Sequence, residues 1–244
     1  MTPMNASDIS PTVILSGPTR GLGRALFDQL VSQTYPVIGL GRDLARVAAV
    51  AENSNIPAKL IEIDFDADFN ALTDALAAIN DTVCSSSAGP LVFISNASVI
   101  EPIGQATSLA LPGIERALRI NCLAPLRIAN ALTEIAQAQH RSFLVLNVSS
   151  GAACRPIRGW QAYCSSKAAY KMALDVLAAE NPHVRVVHFD PGVMDTPMQQ
   201  LIRGQQEADM PEVAAFRGYQ EEGLLKATPT VAAELILLMR RHLS

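Results

Sequence analysis

An α/β fold, a doubly wound parallel sheet of six strands with helices on both faces, is what this 244-residue sequence predicts. Three observations carry that expectation. Short, continuous apolar runs alternate with helix-like periodicity almost from end to end, the pattern of strands buried on both faces. Three glycines, Gly17, Gly21 and Gly23, crowd the junction between the first run and the first helix. No Pro/Gly/Ser-rich linker and no internal repeat divides the chain, so residues 12–244 read as one domain behind a polar tail at 1–11.

Each element follows from local pattern. TVILS, Thr12–Ser16, is too short for a helix, rich in β-branched residues and closed by glycine, so it reads as strand one. A helix follows over Gly21–Ser32. PVIGLG, Pro36–Gly41, is strand two, with a helix from Leu44 to Glu52. AKLIEID, Ala58–Asp64, is strand three, and FNALTDALAAI, Phe69–Ile79, a helix. The SSSAGP stretch, Ser85–Pro90, reads as a loop before strand four, Pro90–Ser95. A long helix is predicted over Pro112–Gln139, kinked near Pro125, then strand five at Ser142–Ser150. The helix Gln161–Ala179 and strand six, Val184–Asp190, complete the sheet. Thr196–Glu222 is polar and helix-prone with no clear core face, and Thr230–Arg240 is a last apolar helix.

Composition narrows the function classes. A hydrophobic content of 49% with 17% charged residues is ample for a buried core. The net charge of −4 and the lack of a long basic run argue against nucleic acid as a partner. The tail 1–11 has neither a basic n-region nor an apolar h-region, so it reads as disordered rather than as a secretion signal. No run reaches the roughly 18 apolar residues of a membrane span. Cys84, Cys122, Cys154 and Cys164 show no CxxC spacing, so reduced thiols, no metal site and a cytoplasmic location are expected.

In a doubly wound sheet, ligands bind at the carboxyl ends of the strands, near the reversal of strand order. The glycine cluster stands there, at a helix N-terminus whose free N–H groups and partial positive charge suit a pyrophosphate. After strand two an acidic residue would hold a ribose 2′-hydroxyl. Here that position is Arg42, and a guanidinium fork matches a phosphate instead. Arg20, just before Gly21, could reach the same phosphate, so NADP(H) is the expected cofactor. Asp43 would repel that phosphate, and its side chain is expected to point away.

Tyr163 and Lys167 are four apart, which on a helix puts both on one face. An ammonium near a phenol favours the phenolate, so the tyrosine could serve as a general acid–base. Ser149 and Ser150, at the end of strand five, could each hydrogen-bond a substrate carbonyl.

The spacing Gly-x-x-x-Gly-x-Gly, with Tyr-x-x-x-Lys, resembles the short-chain dehydrogenase/reductase family over about Thr12–Met198. The stretch from Asn147 to Arg203 is similar to its sepiapterin reductase and benzil reductase branch, with Gly159-Trp160 before the tyrosine and DTPMQQL after strand six. The resemblance implies an oxidoreductase that reduces a ketone, a diketone or a pterin side-chain carbonyl. It selects Ser150, thirteen residues before Tyr163, and adds Asn121 to the catalytic set of Ser150, Tyr163 and Lys167. It implies that Gly17, Thr19, Arg20, Gly21, Leu22 and Gly23 hold the phosphates, with Pro18 removing one N–H from that loop. Asp64 and Phe65 would border the adenine. Asn96, Ala97 and Ser98 stand where the family has Asn-Ala-Gly. Pro191, Gly192, Val193 and Thr196 would hold the nicotinamide, and Trp160 and Met198 would border the substrate beside Ser150 and Tyr163. A homodimer through the helices around Asn121 and Tyr163 is implied too. The family's seventh strand has no counterpart in this pattern. The alternative reading, from another class, is an NADP(H)-binding sensor without turnover.

Overall fold

The structure is a computed structural model and describes residues 10–54, 58–67, 69–86 and 88–244. Most of the expected tail, residues 1–9, lies outside the described residues. In chain order come β1 Thr12–Ser16, α1 Gly21–Ser32, β2 Val37–Gly41, α2 Ala45–Glu52, β3 Lys59–Glu62 and α3 Phe69–Cys84. Then follow β4 Leu91–Ser95, α4 Leu111–Leu118, a π-helical turn Arg119–Leu123, and α5 Ala124–Ala138. The chain continues through β5 Phe143–Val148, α6 Gln161–Glu180, β6 Val184–Phe189, α7 Pro197–Arg203, α8 Val213–Glu221 and α9 Thr228–Leu243.

The six strands form one parallel sheet in the order β3-β2-β1-β4-β5-β6. The chain winds outward from β1 to β3, then returns to the other side of β1, so the strand order reverses between β1 and β4. Alternation along each strand divides the core. Ile14, Phe93 and Val145 pack with α3, α5 and α6 residues on one face. Val13, Leu15, Ile94 and Leu146 pack with α1 and α9 residues on the other. Every residue of β1, β2, β4 and β5 is buried, as expected of strands covered on both faces.

Two expectations change. The long helix is not continuous: it widens into the π-helical turn at Arg119–Leu123, with Asn121 in its middle, and Pro125 lies in the first turn of α5. A proline there removes an N–H that the interrupted ladder does not need. The segment after β6 also has a core face. Ile202, Met210 and Val213 are buried against Trp160 and Tyr163 in a third apolar cluster. Its apolar residues are spread over two short helices and a loop, so no single period reveals them. Among the described residues no seventh strand appears, and β6 is an edge of the sheet. None of the described helices is long and apolar enough to cross a membrane.

Candidate active site

The glycine loop between β1 and α1 is built for close approach. Gly17 and Gly21 have φ of +71° and +55°, in the region that favours glycine. A Cβ on Gly23 would overlap the Gly17 carbonyl oxygen, so α1 can begin this close to β1 only with glycine there. The neighbouring strand pins the loop. Asn96, just beyond β4, donates from Nδ2 to the carbonyls of Ser16 at 3.0 Å and Gly17 at 3.2 Å. The Ser16 hydroxyl accepts from the backbone N–H groups of Asn96 at 2.9 Å and Ala97 at 3.0 Å. Ser16 was not legible as a site residue, because a polar side chain ending a strand is common. Thr19 and Leu22 lie in and just after this loop, and Pro18 is buried beneath it. Thr196 meets the loop from the β6 side: its side chain would be 3.5 Å from a Cβ on Gly21. Its hydroxyl accepts from Gln199 N–H at 3.3 Å and caps α7.

An open cleft of about 360 Å³ lies beyond the ends of β2 and β3, lined by Arg42, Asp43, Glu62, Ile63, Asp64 and Ala67. Arg42 is exposed and donates to Asp64 Oδ2 at 3.5 Å. Asp43, at a φ of +54°, is exposed and is among the residues that line the same cleft. Arg20 is exposed at the N-cap of α1 and is not among the lining residues. Phe65 is buried in the core behind the cleft. The glycine cradle and the cation-bearing cleft fit the two ends of a dinucleotide, a phosphate bridge and a nucleoside.

On the other side of the switch point, Tyr163, Lys167, Ser150 and Asn121 converge. Tyr163 and Lys167 lie in the first two turns of α6, both buried, with Lys167 Nζ 5.7 Å from the phenol ring centre. Nζ donates to the Val148 carbonyl at the end of β5, at 3.0 Å. Burial pushes the Lys167 ammonium down to about 8. Burial also pushes the Tyr163 phenol up to about 12, while hydrogen bonding with Ser150 and Ser98 draws it back. The expected lowering of the phenol by Lys167 does not appear in the protein alone, where desolvation raises it. Ser150 Oγ accepts from Ala152 N–H at 3.2 Å. Ser149 is buried in the same turn but is not among the groups acting on the phenol.

Asn121 holds the centre together. Its Nδ2 donates to the Val99 carbonyl at 2.8 Å and to Ser166 Oγ at 3.0 Å. Its Oδ1 accepts from Val99 N–H at 2.8 Å and from Ser98 Oγ at 3.1 Å. The side chain is saturated, so it positions the loop after β4 against α6. Trp160 is buried, edge-on to Tyr163 at 5.6 Å and 5.3 Å from Phe216. It packs against the tyrosine, and Met198 is half-buried in the same cluster. Cys164 is half-buried in the same cluster. Asp190, which the sequence did not single out, accepts from Gly192 N–H at 2.9 Å and fixes the Pro191-Gly192 turn leading to Val193. Its charge also bears on the phenol.

A glycine cradle at the switch point of a doubly wound sheet, opposite a buried tyrosine–lysine pair, defines a dinucleotide-dependent oxidoreductase. The particular family follows from sequence: the short chain dehydrogenase model matches residues 11–207, and the chain belongs to that family. Its members use nicotinamide cofactors. The chain is 28% identical over 233 residues to the benzil reductase ((S)-benzoin forming) of Bacillus subtilis, covering 93% of each. It is 29% identical over 242 residues to the sepiapterin reductase of Rattus norvegicus, covering 93% of this chain and 90% of that one. The crystal structure of the KRED1-Pglu enzyme superposes with a TM-score of 0.82 at 26% identity, covering 94% of both chains.

Proposed function

We propose that this chain is an NADPH-dependent carbonyl reductase that converts a ketone, a diketone or a pterin side-chain carbonyl to an alcohol. The observation that carries the reading is the buried Tyr163, with Lys167 Nζ 5.7 Å from its ring centre one turn further along α6. Bound NADPH supplies the hydride. Tyr163 gives the proton to the carbonyl oxygen, and Ser150 orients that oxygen. Lys167 holds the ribose and, once a cofactor and substrate displace water, supplies positive charge to the phenolate. Asn121 holds the loop after β4 against α6, the helix that carries Tyr163 and Lys167. Gly17, Thr19, Gly21, Leu22 and Gly23 would take the pyrophosphate, with Asn96, Ala97 and Ser98 alongside. Asp64 and Phe65 would border the adenine, and Pro191, Gly192, Val193 and Thr196 the nicotinamide. Trp160 and Met198 would shape the substrate side. The names of the two relatives, reductases of a diketone and of a pterin, support the reaction class. Residues 12–244 would act as one domain in a cytoplasmic enzyme. A panel of ketones, diketones and sepiapterin, followed by loss of NADPH absorbance, tests the reading. NADPH binding without turnover of any member would favour the sensor reading instead.

Arg42 should set cofactor choice. The extra phosphate of NADPH carries close to two negative charges near neutral pH. Arg42→Ala should weaken NADPH binding about tenfold and leave NADH nearly unchanged, because a charge-assisted hydrogen bond is lost. Arg20→Ala should act in the same direction but less, since Arg20 stands outside the cleft. Added salt should erode the preference, the Arg42 side chain being 56% exposed. Fluorescence titration of both cofactors checks this, and a wild-type preference for NADH would make Asp43 the residue that reads the ribose.

The reductase would be a homodimer. Leu123, Met172 and Val176 are 57%, 62% and 47% exposed on the π-helical turn and on α6. Apolar side chains at that exposure on adjoining elements fit a two-fold helical contact. Light scattering should give twice the 26.0 kDa chain mass, and a monomer at micromolar concentration would remove the dimer from the proposal.

A further inference from the structure

The turn that follows Ser150 carries a charge that the reaction proposed above does not use. From Ser150 to Arg155 the backbone winds back on itself. Ala153 N–H donates to the Ser150 carbonyl at 2.9 Å, and the N–H groups of Cys154 and Arg155 both donate to the Gly151 carbonyl at 3.1 Å. The winding returns Arg155 to Gly151, the residue next to Ser150. A Cβ on Gly151 would stand 3.4 Å from Arg155 Nε and 3.6 Å from Asp190 Oδ2. Glycine at 151 thus leaves a slot between a guanidinium and a carboxylate. Asp190 is committed on its other oxygen, where Oδ1 accepts from Gly192 N–H in the turn assigned above to the nicotinamide. Arg155 is thereby placed beside both the serine that orients the carbonyl and the turn that faces the hydride donor. Its guanidinium is exposed, and among the described residues it makes no ion pair and no side-chain hydrogen bond. Arg158, three residues on, does pair, with Glu212 at 2.8 Å.

We propose that Arg155 is a specificity-determining residue that takes a carboxylate of the substrate, so that the preferred substrates are oxo acids, with the carboxylate a few bonds from the carbonyl. The inference rests on the carbonyl reductase reading and names the substrate class within it. A guanidinium presents N–H donors in a fixed fork that matches a carboxylate bidentately. A ketone or an ester offers that fork only neutral acceptors. With Ser150 on the carbonyl oxygen and Arg155 on the carboxylate, the substrate is held at two points, which fixes the face it shows to the hydride. Asp190 repels an anion, so the cofactor side of the slot is closed to the carboxylate and the guanidinium is where it seats.

The test compares 2-oxo and 3-oxo carboxylic acids with their methyl esters, and with simple ketones, in NADPH-driven reduction by the wild type, Arg155→Ala and Arg155→Lys. The wild type should show a higher kcat/KM for an acid than for its ester. Arg155→Ala should lower the acid-to-ester ratio about tenfold or more, chiefly through KM, as for the loss of a charge-assisted hydrogen bond. Arg155→Lys, which keeps the charge but not the fork, should restore part of the ratio. Added salt should raise the wild-type KM for the acid and not for the ester, since the guanidinium is exposed. A wild type that reduces ester and acid alike overturns the proposal, and so does an Arg155→Ala variant whose ratio is unmoved. If ketones are reduced and acids are not preferred, this proposal alone fails. If no carbonyl compound of the three kinds is reduced, the reductase reading fails and takes this proposal with it.

Discussion

Tyr163→Phe abolishes carbonyl reduction and leaves cofactor binding intact: that is the largest effect expected of any single substitution here. The ring stays, so its edge-on contact with Trp160 at 5.6 Å and its place in the third apolar cluster survive. Only the oxygen is lost, and with it the proton donor. Positioned general acids contribute about 10² to 10⁴-fold to rate, and kcat should fall within that range. The glycine loop lies across the switch point and shares no contact with the deleted oxygen, so NADPH titration should match wild type. Removing a buried hydroxyl also removes its desolvation, so the melting temperature should hold or rise. Near wild-type turnover in this variant would remove Tyr163 from the role of acid.

Gly23→Ala should damage the other half of the site. The new methyl would overlap the Gly17 carbonyl oxygen and stand 2.5 Å from Asn96 Nδ2. Neither neighbour can yield cheaply. The Gly17 carbonyl belongs to a turn with φ of +71°, and Asn96 Nδ2 holds two backbone carbonyls. The start of α1 would have to move away from β1. Overpacking of this kind costs about 1–3 kcal/mol, and the displaced N–H groups would no longer converge on a phosphate. Both the melting temperature and NADPH affinity should fall together. Gly218→Ala in α8 is the control, since its Cβ would meet nothing nearer than Glu222 Oε1 at 3.9 Å. Wild-type melting and binding in Gly23→Ala would show that the loop tolerates a side chain.

The sheet was legible because both of its faces are buried. Runs such as Val13–Leu15 and Val92–Ile94 cannot lie on a surface, and their spacing leaves room only for crossover helices. Tyr163, Lys167 and the glycines were legible because their chemistry depends on fixed spacing within one element or one turn. What escaped depends on contacts between distant segments. Ser16 gains its role from Asn96, some eighty residues along the chain, and Asp190 bears on Tyr163 from the far end of β6. The left-handed backbone of Asp43, beside Arg42 at the cleft, is something no spacing encodes. The break in the long helix was read at Pro125, yet the π-helical turn centres on Asn121, whose amide is pulled toward Val99. The phenol was expected to be lowered by its lysine neighbour. Burial, which sequence does not give residue by residue, reverses the direction.

Lys167 also links the site to the pH range over which the fold is strongest. Its ammonium titrates near 8 in the folded chain, below its ordinary 10.5. Between those two values the unfolded chain binds more protons than the native one, so this group adds stability as pH rises through the window. Below about 8 the native state holds a buried charge, and the penalty is present in full at neutral pH. Tyr163 runs the opposite way: its phenol is held protonated to about 12 against an ordinary 10, so its contribution is lost as pH rises from 10 to 12. The two residues that sit one helical turn apart thus favour a mildly alkaline maximum of resilience. An enzyme working at neutral pH keeps its reactive pair where the fold tolerates it least well, and a bound anion beside Lys167 would relieve that tension.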